Sequence, residues 1–257
     1  MQHIYTAGIV KNLLVTISYD GKSFHGWQIQ QNALTVQEVF QNALTKIIGE
    51  DFDIKGCSRT DSGVHANMYC ISLKTSHPIE PVRLKAALNR WLPLSVAVLD
   101  CVQVADDFHA RYSCVSKEYI YKIWNTEVRN PFLDGYALHY RYKLDEEMLN
   151  KAAQAYVGKH DFTSFCTLDN REMGDMTRNV KAFSVTRDGD LVIMKVEADG
   201  FLYNMVRIMV GTLLRIQQGK IPQDGITEII EKKNRKFAGP TAQACGLYLN
   251  KVNYDFK

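Results

Sequence analysis

No CxxC pair occurs in the 257-residue sequence: its six cysteines, Cys57, Cys70, Cys101, Cys114, Cys166 and Cys245, are scattered. That spacing argues against a zinc ribbon and offers no disulfide framework, so reduced thiols in a cytoplasm are the expectation. A long hydrophobic run is also missing. The most apolar stretch, 201–216, is broken by Asn204, Arg207 and Arg215, and no basic segment precedes an apolar one at the N-terminus. Neither a membrane span nor a signal peptide is expected. Low-complexity tracts and sequence repeats are absent. Charge of one sign is not in excess either, since a net charge of +3 permits a polyanionic partner without demanding one. Gly21-Lys22-Ser23 matches the end of a phosphate-binding P-loop, but Thr16 stands where its first glycine belongs, which removes that nucleotide site. What is present is 46% apolar and 23% charged residues, the composition of a folded globular chain with room for one large domain or two small ones.

The densest chemistry lies in Gly56-Cys-Ser-Arg59-Thr-Asp61-Ser-Gly63-Val-His65-Ala66. Phe52 and Ile54 alternate before it, and Tyr69, Ile71 and Leu73 after it, so this polar loop joins two strands, where sites tend to sit. Extended backbone would point Arg59 and Asp61 to one side, where the guanidinium would hold the carboxylate ionised as a nucleophile or base. A turn cap before Gly63 accounts for the same residues structurally. Upstream, Trp27 and Gln28 offer a ring and an amide suited to an unpaired base, although Trp27 serves equally well as a hydrophobic plug.

Residues 13–19 read as a buried strand closed by Asp20-Gly21. Thr35-x-x-Glu38 is a capping box, and Val36, Val39, Phe40, Ala43, Leu44 and Ile48 form the apolar face of a helix ending at Gly49. Past the polar loop come a strand near 67–75, a helix near 81–91 and a strand near 96–104, an element order that fits a ferredoxin-like α+β half. Phe108-His109-Ala110-Arg111 precedes a strand over 116–124 in which Tyr119, Tyr121 and Ile123 share one face. His109 and Arg111 are suited to phosphates or to bonding a sheet edge. Asn130-Pro131 marks the expected passage between halves 1–130 and 131–257. The second half reads as a helix over 145–157, strands near 180–187 and 191–198, a buried helix opening at Gly200, a short helix over 223–234 and a last strand over 246–252. Arg207, on the buried helix, needs an anionic partner. His160-Asp161 reads as a loop anchor rather than a metal pair, and 166–178, with Asp169, Arg171, Glu172 and Arg178, as a polar loop. Lys232, Lys233, Arg235 and Lys236 read as a solvated helix end that could also touch phosphates.

Several phrases resemble the tRNA pseudouridine synthase A family: Tyr19-Asp20-Gly21 with Gly26-Trp27-Gln28-x-Gln30, Arg59-Thr60-Asp61-x-Gly63-Val64-His65-Ala66, and Phe108-His-Ala-Arg111 with Lys117-x-Tyr119-x-Tyr121. His160-Asp-Phe-Thr-Ser-Phe165 and Gly239-Pro-Thr-Ala242 continue the resemblance, which runs in order from Tyr19 to Leu249. Ser62 stands where many members carry Ala, and no departure touches the Arg, Asp or Gly of the loop. The resemblance implies that Asp61 is the catalytic residue, that Tyr119 contacts the target uracil, and that Arg59 and Arg207 support the carboxylate. It further implies conversion of uridine to pseudouridine at positions 38 to 40 of the tRNA anticodon stem-loop, without cofactor or metal, by a cytoplasmic homodimer. The implied fold is α+β, two ferredoxin-like halves sharing a central, mainly antiparallel sheet with the active site in the cleft between them.

Two other classes fit parts of the sequence. A non-catalytic ferredoxin-like RNA-binding protein would keep the basic and aromatic groups but would not need Arg59, Asp61 and Arg207 together. A metal-dependent hydrolase built from Asp61, His65, His25 and His109 would need ligand spacing that the sequence lacks, since no pair stands at i, i+4.

Overall fold

A computed structural model describes residues 10–167 and 174–256. Asp169, Arg171 and Glu172 of the expected polar loop lie outside the described residues. The chain divides into two compact units, Val115–Asn253 and the residues on either side of that span. The passage between them falls at Cys114–Val115, whereas the turn at Asn130-Pro131 lies inside the second unit.

The first unit contains β1 (Lys11–Tyr19), α1 (Val36–Ile48), β2 (Asp53–Gly56), β3 (His65–Thr75), α2 (Pro81–Trp91) and β4 (Val96–Val104). Its strands lie in the order β4-β1-β3-β2, each antiparallel to its neighbour. That order, with a helix after the first and third strands, is the ferredoxin-like arrangement the element sequence led us to expect. Leu13, Val15 and Ile17 of β1 and Tyr69, Ile71 and Leu73 of β3 are buried with Phe40 and Leu44 of α1 and Leu84 and Leu88 of α2. Each such side chain stabilises the fold by about 1.5–3 kcal/mol relative to exposure. The N-cap bond of the expected capping box forms at the start of α1, where the Thr35 hydroxyl accepts the Glu38 N–H.

The second unit contains β5 (Cys114–Trp124), β6 (Leu138–His139), α3 (Glu146–Ala153), β7 (Gly158–Asp161), β8 (Thr177–Asp188), β9 (Leu191–Ala198), α4 (Met205–Gln217), α5 (Gly225–Lys232) and β10 (Leu247–Tyr254). Its strands run β10-β5-β9-β8-β7, with β6 alongside β5 as a short parallel pair. With β6, β7 and α5 set aside, β5-α3-β8-β9-α4-β10 in sequence and β10-β5-β9-β8 in space repeat the pattern of the first unit. The fold is therefore α+β with two ferredoxin-like units.

The helix expected over 145–157 is α3 followed by a tighter 3-10 turn, Gln154–Tyr156, which brings Tyr156 into the core beside Phe165 and Phe183. The apolar helix is α4, buried on nearly every side. A Cβ on Gly211 would lie 1.7 Å from the Pro240 carbonyl oxygen, so residues 239–240 rest directly on the helix backbone. Among the described residues no helix is long and apolar enough to cross a membrane.

Candidate functional site

Asp61 is half-buried in the connection from β2 to β3. It opens a turn in which the Val64 N–H donates to the Asp61 carbonyl at 3.2 Å, with Gly63 at φ +77°. The loop is splinted from outside by the segment that follows β1. The Gly63 N–H donates to the Phe24 carbonyl at 3.2 Å, and the Trp27 N–H donates to the Thr60 carbonyl at 3.2 Å. Such close passage is open only to residues without a Cβ. At Gly21 a Cβ would stand 2.0 Å from the Val64 carbonyl oxygen, and at Gly26, φ +88°, it would stand 2.4 Å from that of Thr60.

Buried polar side chains complete the splint. The Thr60 and Tyr19 hydroxyls pair at 2.8 Å, and His65 Nδ1 accepts the Gly21 N–H at 3.0 Å. An accepting Nδ1 puts the proton of the neutral ring on Nε2. The Asp20 carboxylate also approaches Nδ1, at 3.2 Å, a contact that becomes an ion pair only if the ring is protonated. The Tyr69 hydroxyl donates to the Ser58 carbonyl, and its ring stacks on Trp27 with centroids 4.3 Å apart. Asp61 is thus carried on backbone whose neighbours are fixed on both sides, the kind of preorganisation that a reacting carboxylate needs.

In the second unit, Tyr119 on β5 is buried with its ring edge-on to Phe201, centroids 5.0 Å apart. Tyr121 is committed to the core. Its hydroxyl donates to the Gln243 carbonyl at 2.7 Å, its ring lies where a Cβ on Gly246 would collide, and burial pushes its pKa far above the usual range. Arg207 lies in the first turn of α4, where Nε donates to the Ala242 carbonyl at 2.7 Å and Nη1 to Asn204 Oδ1 at 2.9 Å. Asn204 stands at φ +62°, and its Nδ2 donates to Thr167 Oγ1 at 3.0 Å. These two neutral oxygens are among the partners that orient Arg207.

Arg59 departs from expectation. It is exposed, and among the described residues it makes neither a hydrogen bond nor an ion pair, so the anticipated Arg59–Asp61 pair does not form. The physical reason is that β2 ends at Gly56 and Thr60 is tied inward by its carbonyl and its hydroxyl, which takes the loop out of strand geometry. Trp27 is buried as the hydrophobic plug, while Gln28 is exposed. His109 is half-buried with Nδ1 accepting the Arg111 N–H at 3.0 Å, and Arg111 is exposed beside the Tyr112 ring.

Of the histidines weighed as metal ligands, His65 is buried on Gly21 and His25 is exposed. Among the described residues no three His, Cys, Asp or Glu side chains group so as to hold a metal ion. Asp161 is a loop anchor: Oδ1 accepts from the Thr163 N–H and hydroxyl, and Oδ2 lies 3.0 Å from Lys233 Nζ. Burial raises its pKa, but Thr163 and Lys233 outweigh burial and hold it below the usual carboxylate range.

Sequence reasoning missed the supporting residues. Tyr19, Gly21, Gly26, Thr60 and His65 position the loop, and Asn204 positions Arg207. The available signal was two glycines five residues apart beside a buried strand, and an Asn just before an apolar helix.

A family model described as tRNA pseudouridine synthase matches residues 15–113 and 152–255. Over 245 residues, 95% of this chain and 100% of the relative, the sequence is 42% identical to a protein of Thermoanaerobacter sp. (strain X514) named tRNA pseudouridine synthase A. It is 41% identical over 245 residues to the protein of that name from Acetivibrio thermocellus, again 95% of this chain and 100% of the relative. A Clostridium perfringens protein named tRNA pseudouridine synthase A 2 is 40% identical over 248 residues, with the same coverage of both chains.

Proposed function

The chain belongs to the tRNA pseudouridine synthase family, and from that premise we propose that it converts uridine to pseudouridine at positions 38 to 40 of the tRNA anticodon stem-loop, with Asp61 as the catalytic carboxylate. The reaction breaks the bond between ribose C1′ and uracil N1, turns the base and joins C1′ to C5. The C5 proton leaves and N1 gains one, so the change is an isomerisation whose atoms balance without oxidant or cofactor.

The observation that supports this reading best is the splinted Asp61 turn, a half-buried carboxylate whose backbone is held by Gly21, Gly26, Thr60 and His65. In the proposed mechanism Asp61 either attacks C1′ or takes a sugar proton to give a glycal, and both routes need the carboxylate ionised. Tyr119 meets the uracil ring, and Arg207 favours the ionised carboxylate. Arg59, exposed and unpaired among the described residues, fills the space that the flipped base leaves. Flipping costs a few kcal/mol, which contacts to the RNA backbone offset. Gln28, His109 and Arg111 are proposed for those contacts, and the working unit is a homodimer in which one tRNA bridges both subunits.

The test is tritium release from tRNA carrying 5-tritiated uridine in the anticodon stem, with chelator present, comparing the wild type with Asp61→Asn. Release by the wild type alone is expected. Binding of that tRNA without release would replace the reading by a non-catalytic RNA-binding role or a different target uridine.

A further inference from the structure

Within the second unit, a groove of about 450 Å³ lies where the end of α4 meets the segment that follows α5. Arg215 and Lys220 line it from one side, Arg235 and Lys236 from the other, and none of its lining residues is acidic. We propose that this groove binds phosphodiester groups of the substrate RNA backbone, as a subsite separate from the Asp61 loop; that the RNA is tRNA rests on the reading above.

The basic run that starts at the last residue of α5 divides into two kinds of cation. Lys232 pairs with Glu228, and Lys233 with Asp161, so both are neutralised by the protein itself. Arg235 and Lys236, next along the chain, have no carboxylate partner among the described residues and face the groove. A solvated helix end accounts for the first pair and leaves the second unexplained. Arg235 is half-buried, and its guanidinium has two long contacts to neutral oxygens, Ala238 O at 3.5 Å and Thr241 Oγ1 at 3.3 Å. Burial lowers its affinity for its proton, an energetic debt that a seated anion would relieve.

The opposite wall is equally fixed. The Lys220 N–H donates to the Arg215 carbonyl at 3.0 Å, which closes the end of α4 and holds the backbones of these two groove-lining residues together. The floor is rigid, because Gly239 donates to Thr212 Oγ1 at 2.9 Å and Pro240 presses on Gly211. Four cations around one groove exceed what a single carboxylate would balance, whereas an RNA strand presents a phosphate at every nucleotide, and guanidinium forks match phosphate oxygens. The floor continues to Ala242, whose carbonyl accepts from Arg207 Nε. A phosphate seated here therefore sets the register of the RNA against Arg207.

The test uses Lys220→Gln/Lys236→Gln, two exposed positions, and separately Arg235→Gln, whose folding is checked by its melting temperature. Binding of unmodified tRNA transcript is measured from about 50 to 300 mM KCl, with pseudouridine formation followed in parallel. The double variant is expected to bind about tenfold more weakly near 0.1 M salt, with a dependence of log Kd on log salt shallower by roughly 1.4 to 1.8, because each lost phosphate contact removes about 0.7 to 0.9 from the slope. An unchanged slope and affinity in the double variant overturn the proposal. So does loss of inorganic phosphate binding, followed by phosphorus NMR, with the tRNA slope intact, since the groove would then serve a small free anion. A shifted slope in a protein that forms no pseudouridine would sink the functional reading and leave the groove standing.

Discussion

A carboxylate on a turn held by backbone contacts moves little when its charge is removed. Asp61→Asn is therefore expected to lose pseudouridine formation to below detection while tRNA affinity stays within about twofold, because the interaction lost belongs to the transition state. Parallel loss of affinity in a binding assay would mean that the loop is structural. The two tyrosines of β5 separate by the same logic. Tyr121→Phe leaves the Gln243 carbonyl without its donor and is expected to lower stability by about 1–2 kcal/mol in urea unfolding. Tyr119→Phe keeps its ring contact with Phe201, and is expected to lower turnover, read as the rate of tritium release. A larger loss of turnover in Tyr121→Phe would reverse the assignment. At this scale the polar loop was legible as a connection between two strands, because alternating apolar residues flank it, and the structure places Asp61 there between β2 and β3. The Arg59–Asp61 pair was misjudged, because spacing of two implies a shared side only while the backbone is a strand.

Among elements, the connection after β1 acts on the loop before β3 through two missing Cβ atoms. Gly21→Ala would place a Cβ 2.0 Å from a backbone oxygen that has no side-chain freedom to retreat. It is expected to displace the Asp61 turn and lower kcat by about 10²-fold or more, with α1 and the sheet retained by circular dichroism. Gly211→Ala meets Pro240 more closely still, at 1.7 Å, and is expected to cost about 3 kcal/mol or more in a thermal or urea melt. The end of β7 adds a pH dependence. The folded pKa of Asp161 lies below its unfolded value, so its stabilisation is fully present above about pH 4 and is lost as pH falls through the folded pKa. Asp161→Asn is expected to flatten the acid limb of the unfolding profile there, and a profile unchanged below pH 4 would remove Asp161 from that role. Periodicity located α1, α4 and the long strands. It overran at α3, where Tyr156 turns inward through a 3-10 turn.

For the whole molecule, none of the six cysteines forms a disulfide, even where the fold brings two together, as at Cys57 and Cys70, whose N–H donates to Cys57 Sγ at 3.4 Å; Cys57, Cys70, Cys101 and Cys166 are buried. Burial, with Asp100 beside it, pushes Cys101 up to about 11. At pH 8 its thiolate is scarce as well as hidden, and iodoacetamide read by mass spectrometry is expected to label Cys101 only after unfolding. The sequence by itself determined the α+β class, the secure helices, the order of elements in the first unit and the loop that carries Asp61, because periodicity, capping and turn residues act within a few positions of one another. Only the tertiary structure decided that the second unit repeats the strand order of the first, since strand neighbours far apart in sequence share no local signal and a topology can recur without residue identity. It alone bound the Tyr121 hydroxyl to the Gln243 carbonyl, exposed Arg59, and resolved the two readings of Trp27 in favour of a buried plug whose segment splints the Asp61 loop. Those outcomes depend on which atoms meet across distant segments, and a missing Cβ acquires meaning only from the backbone that passes where it would have been.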